Sequence, residues 1–131
     1  MRTLLPPGWP RPKGYANGIS ARGRTIYTAG VIGWDAEERI GADDLAGQFR
    51  QVLENILSIL AVDGAGPEHL VRMTCYVTDV AAYRASLDGI GAAWREVIGR
   101  HYPAMAVVGV TELVEPKALV EIEATAMVPE P

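Results

Sequence analysis

The chain has 131 residues, of which 49% are hydrophobic, and a formal net charge of −4. That is enough apolar material for one ordinary core without staples, and a mild acidic balance with no basic block argues against nucleic acid as the main partner. Cys75 is the single cysteine, so no disulfide can close within the chain, and a reducing cytoplasm is the expected setting.

No apolar run is long enough to span a bilayer. MRTLLPPGWPRPKGY is too broken by proline to read as a signal peptide, and residues 1–14 read as an irregular arm. GISARG and RTIYTAGVI follow, separated at Arg22-Gly23-Arg24, which predicts a β-hairpin turning on Gly23. On its second strand Thr25, Tyr27 and Ala29 face one way, and Ile26, Thr28 and Gly30 the other. WDAEERIGADD is polar and turn-rich. Asp43 or Asp44 then caps a helix whose apolar face is Leu45, Phe49, Val52, Leu53, Ile56, Leu57 and Leu60. Gln48, Arg50, Gln51, Glu54 and Asn55 lie around the rest, and Gly64 or Gly66 ends the helix.

LVRMTCYVTD predicts a strand over 70–79, with Val71, Met73, Cys75 and Val77 buried under a helix. Residues 80–98 predict a second helix, with a break or close packing at Gly89 and Gly91. A strand is expected over 106–111 and another over 119–128. In the last, Val120, Ile122, Ala124, Ala126 and Val128 form an apolar face opposite Leu119, Glu121, Glu123, Thr125 and Met127. Two carboxylates on one strand face exclude that face from the core. The order predicts an α+β sandwich, one sheet face under helices and the other free, with Tyr27, Met127 and Leu119 inviting self-association.

These segments together resemble the Rid family, the reactive intermediate deaminases, also called YjgF or endoribonuclease L-PSP. The resemblance rests on GYANG (14–18), TIYTAGVIGWD (25–35), QFRQVLENILSILAVDGAG (48–66), VRMTCYVTD (71–79), YPAMAVVGV and ALVEIEATA. It covers most of a single domain, 1–131. It implies a chorismate-mutase-like fold, a mixed β-sheet with two helices packed on one face. It further implies a homotrimer with ligand clefts between subunits, and no metal or organic cofactor. Members with the full site hydrolyse small enamines and imines to ketones and ammonia. The family pattern has a carboxylate-gripping arginine after the Pro-Ala turn, where this chain has Met105, and a thioether cannot grip a carboxylate. The stretch from Tyr83 to Pro103 is also a few residues longer than the pattern.

By resemblance Glu121 is the catalytic carboxylate that handles water, and Tyr15 shapes the cleft. Their plainer readings are an interface-paired strand glutamate and a half-buried aromatic. Met105, Gly30, Arg100 and Trp34 are the candidate substrate-binding residues. Gly30 and Gly33 could instead serve turn geometry alone, and Trp34 packing. Arg72 and Arg100 are possible relocated anion anchors, and His101 a possible acid or base. Glu123 and Asn17 read as surface and turn residues. His69 and His101 lack ligand spacing for a metal, and Cys75 reads as a small buried hydrophobe. Two functions stay open. One is a deaminase with altered substrate choice, a 2-aminomuconate-like molecule being possible. The other is a non-catalytic trimer binding a small metabolite or partner protein. The acidic balance disfavours ribonuclease activity.

Overall fold

The computed structural model describes residues 1–130. In chain order it contains β1 (Arg2–Thr3), β2 (Ile19–Ser20), β3 (Arg24–Tyr27), α1 (Leu45–Val62), β4 (Leu70–Val77), α2 (Val80–Ala85), α3 (Leu87–Val97), β5 (Ala104–Gly109) and β6 (Val120–Val128). A 3₁₀ turn at Pro67–His69 leads into β4. The main sheet has the order β3-β6-β4-β5, with β4 and β5 parallel and the other pairs antiparallel. It is the expected α+β architecture with a mixed sheet. No helix among the described residues is long and apolar enough to cross a membrane.

The predicted hairpin does not form. β2 pairs antiparallel with β1 as a separate two-stranded ribbon, while β3 pairs with β6. Gly23 explains the difference. Its φ is +146°, and a β-carbon there would overlap the Val128 carbonyl. The glycine therefore admits the end of β6 against the chain, rather than reversing β2 onto β3.

The helix α1 starts at Asp44, whose carboxylate accepts from Gly47 N at 3.3 Å, and Gly64 (φ +74°) supplies the left-handed stop. Phe49, Val52, Leu53, Ile56 and Leu60 are buried, each worth about 1.5–3 kcal/mol relative to exposure. They meet Met73, Cys75 and Val77 of β4 and Val120, Ile122, Ala124 and Ala126 of β6. The second predicted helix divides at Ser86 into α2 and α3. Asp79 caps α2 through Ala82 N, and Ser86 Oγ donates to the Ala82 carbonyl at 2.7 Å. Gly89 marks close packing, since a β-carbon there would lie 2.9 Å from Ala46 Cβ. β5 begins two residues before the expected strand, at the Pro-Ala turn itself.

Burial pushes the Cys75 thiol up to about 12. The folded thiol thus keeps its proton where an unfolded one ionises near 9.0. This contribution to stability is intact below the unfolded value and drains away as pH climbs from there toward 12. Iodoacetamide at about pH 8 is expected to spare Cys75 in folded protein and to alkylate it in guanidinium, read by intact mass. Labelling of the folded protein would contradict the burial.

Candidate functional site

Glu121 is the second residue of β6, in register with Tyr76 of β4, and is half-buried on the face away from the helices. Past Tyr27 the chain continues irregularly beside β6. Thr28 N donates to the Ala124 carbonyl at 2.9 Å, and Val31 exchanges two backbone bonds with Ile122 at 2.8 and 2.9 Å. Across this step it carries one residue more than β6, a bulge at Ala29–Gly30. The Thr28 hydroxyl holds it: Oγ1 accepts from Ala124 N at 3.0 Å and donates to the Ala29 carbonyl at 2.8 Å. A β-carbon on Gly30 would lie 2.8 Å from Glu121 Cδ, so only glycine leaves the carboxylate its place.

The carboxylate opens on a cleft of about 790 Å³ that Trp34, Asn55 and Val114 help to wall. Asn55 of α1 fixes this wall, its Nδ2 donating to the carbonyls of Ile32 (3.1 Å) and Trp34 (2.7 Å) while Oδ1 accepts from Gln51 Nε2. Gln48, predicted on the polar side of α1, is in fact only 2% exposed. Its amide donates to the carbonyls of Ala42 and Lys117 and accepts from Leu119 N at 2.8 Å, tying the segment before β6 to α1. Asp35, on the rim, accepts from the backbone of Arg39 (3.0 Å) and Glu37 (2.8 Å). Those bonds, aided by the Arg39 guanidinium, hold its carboxyl below the usual range. The charged residues lining this cleft, Asp35, Glu115 and Glu121, are all acidic.

Tyr15 and Met105 line a different cleft, of about 320 Å³. Ala16 N donates to the Pro103 carbonyl at 2.9 Å and Ala16 bridges to Ala104, which seats Tyr15 beside the start of β5. Met105 stands in register with buried Met73 and so faces the helix layer. Glu121 shares the other face with Tyr76. One chain therefore brings Glu121 together with Gly30 and Trp34, but not with Tyr15 and Met105.

Residues 10–128 match the family model described as endoribonuclease L-PSP. The chain belongs to this family. Over 114 residues it is 31% identical to the 2-iminobutanoate/2-iminopropanoate deaminase of Salmonella typhimurium, with 86% of each chain covered. It is 37% identical to a RutC family protein of Pyrococcus horikoshii, covering 89% of this chain and 90% of that protein. Among solved structures, the Rid family protein YyfB of Yersinia pestis superposes with a TM-score of 0.85 at 32% identity, covering 97% and 98% of the two chains. The YjgF gene product of E. coli superposes with a TM-score of 0.72 at 27% identity, covering 98% and 100%.

The other residues singled out in this L-PSP family chain scatter. Gly33 packs on α1, where a β-carbon would lie 3.2 Å from the Gln48 carbonyl. Arg100 is exposed, in a groove under the N-terminal arm that Tyr15 and His101 also line. Arg72 is exposed on the open sheet face near Tyr27 and Glu123. His101 Nε2 lies 2.6 Å from the Leu70 carbonyl, to which it donates, and the His101 carbonyl accepts from Trp94 Nε1. That makes it a brace between β4 and α3, with no free lone pair on Nε2. His69 Nδ1 accepts from Gly66 N at 3.0 Å. Glu123 accepts from the Tyr76 hydroxyl at 2.6 Å, which raises the Tyr76 pKa, and Asn17 is exposed. The sequence places Thr28, Gln48 and Asn55 on their elements but does not show their roles at the site. Each has a decisive partner on a distant backbone, Ala124 N for Thr28, the Lys117 carbonyl and Leu119 N for Gln48, and the Ile32 and Trp34 carbonyls for Asn55, which no local pattern displays.

Proposed function

We propose that the protein is a hydrolytic deaminase of a small enamine or imine, working as a cytoplasmic homotrimer without metal or organic cofactor. The observation that carries this reading is the Glu121 carboxylate, seated against the Gly30 bulge and open to a cleft large enough for a metabolite. In the proposed reaction Glu121 takes a proton from water as the water oxygen bonds to the imine carbon. Glu121 returns that proton to the nitrogen, giving a carbinolamine. It then relays the hydroxyl proton to the same nitrogen as the C=O bond forms and the C–N bond breaks, so that ketone and ammonia leave. Among the described residues lining this cleft there is no cation to hold a substrate carboxylate. That favours a site completed by a neighbouring subunit, with Tyr15, Met105 and the exposed Arg100 approaching from its other sheet edge. A 2-aminomuconate-like conjugated acid fits this substrate class. Met105 in the arginine position also favours a second reading, a trimer that binds a small metabolite or a partner protein without turnover.

Ammonia release from enamines and imines generated in situ tests the choice. Wild type is expected to exceed the spontaneous rate. Met105→Arg is expected to improve KM for small 2-imino acids about tenfold, through one added charge-assisted bond. Activity in Met105→Arg alone would leave the scaffold competent and make the non-catalytic reading the correct one.

A further inference from the structure

The cleft under Met105 differs in chemistry from the one at Glu121. Trp94 and Tyr102 stack along one wall, with ring centroids 5.9 Å apart and planes within 9°. Tyr15 and Met105 add further apolar surface. The charged residues lining it are Lys13 and Arg95, both basic. Neither forms an ion pair among the described residues, whereas Arg24, Arg39 and Arg50 each do.

Arg95 is placed by a local device. It lies in the last turn of α3, and its guanidinium folds back one turn over Gly91, where a β-carbon would lie 3.1 Å from Nη1. Glycine inside a helix costs about 1 kcal/mol relative to alanine. Here it leaves the guanidinium room at the mouth of the cleft. A guanidinium there presents paired donors to a planar anion, and the aromatic wall receives a flat body behind it.

We propose that Arg95 is the carboxylate anchor of this cleft, and that the ligand it selects carries an aromatic or bulky planar side group. Combined with the deaminase reading, on which this last step rests, the substrate class is a 2-imino acid with an aromatic side chain. Lys13 adds charge at the mouth, and Met105 forms floor where a second guanidinium would otherwise stand.

Calorimetric titration with 3-phenylpropanoate and its neutral analogue 3-phenylpropanamide tests the anchor without turnover. The acid is expected to bind wild type and to lose about tenfold to a hundredfold in affinity in Arg95→Ala, with Arg95→Lys between them. Weak binding of the amide is expected to be the same in all three proteins. Failure of wild type to bind the acid, equal affinity in Arg95→Ala, or equal losses for acid and amide would each overturn the proposal. Ammonia release from 2-imino-3-phenylpropanoate separates it from the deaminase reading. Arg95-dependent binding with no turnover would sink that reading and keep this one. Turnover with an unchanged KM in Arg95→Ala would do the reverse.

Discussion

Glu121→Gln is expected to slow ammonia release by about a hundredfold to ten-thousandfold, with KM little changed. The two side chains have nearly the same shape, so the amide fits the space that Gly30 leaves beside Glu121. What disappears is a group able to take a proton from water. Core packing is untouched, because Glu121 stands on the open face with Tyr76 while its neighbours Val120 and Ile122 fill the interior. The thermal midpoint should therefore move by no more than about 2 °C. Steady-state rates beside a melting curve decide the matter. Unchanged turnover would remove Glu121 from the chemistry, whereas a large drop in melting temperature would recast it as a structural residue.

Gln48→Leu is expected to be the most damaging of the conservative changes for stability. Leucine fills much the same volume, but it abandons the carbonyls of Ala42 and Lys117 and the N–H of Leu119. A buried polar group left without a partner costs about 1–3 kcal/mol, so the three together come to roughly 3–9 kcal/mol. In a chain of this length that corresponds to a fall in Tm on the order of 10–30 °C. Hydrogen exchange should speed up first over residues 112–119, which Gln48 ties to α1 on the approach to β6. A Tm within about 2 °C of wild type would mean that water takes over all three bonds. Gln48→Glu at neutral pH should do no better, since a carboxylate answers Leu119 N but repels two carbonyl oxygens.

The frame of the molecule was legible where periodicity is local. The apolar stripe of α1 and the alternation of β6 each follow from one face being buried, and residues a few positions apart report that directly. β4 alternates as expected from Met73 onward, but at its start Leu70 rather than Val71 is buried, because the register shifts between Leu70 and Arg72. The hairpin failed because Gly23 serves a contact with Val128, more than a hundred positions away, that its neighbours do not encode. Gln48 was misplaced because an amide at the edge of a helical stripe reads as solvent-facing until its distant partners are known. The break at Ser86 fell away from Gly89 and Gly91. A serine hydroxyl returning to a carbonyl ends α2, while Gly89 serves contact with α1. At the candidate site, Glu121, Gly30 and Trp34 do share a cleft, yet Tyr15 and Met105 lie on another. Strand alternation places Met105 toward the helices, and residue identity alone could not reveal which cleft it would face.

The extra residue at Ala29–Gly30 acts as a parity switch. Before it, the even-numbered Ile26 and Thr28 stand opposite the inward-facing Ala126 and Ala124; after it, the odd-numbered Val31 stands opposite Ile122 and Gly33 is buried. Losing one residue here would restore simple alternation and turn Ile32 and Trp34 inward in place of Val31 and Gly33. The stretch from Thr28 to Trp34 is therefore a counted length, in which side chains can be exchanged more safely than residues can be added or removed.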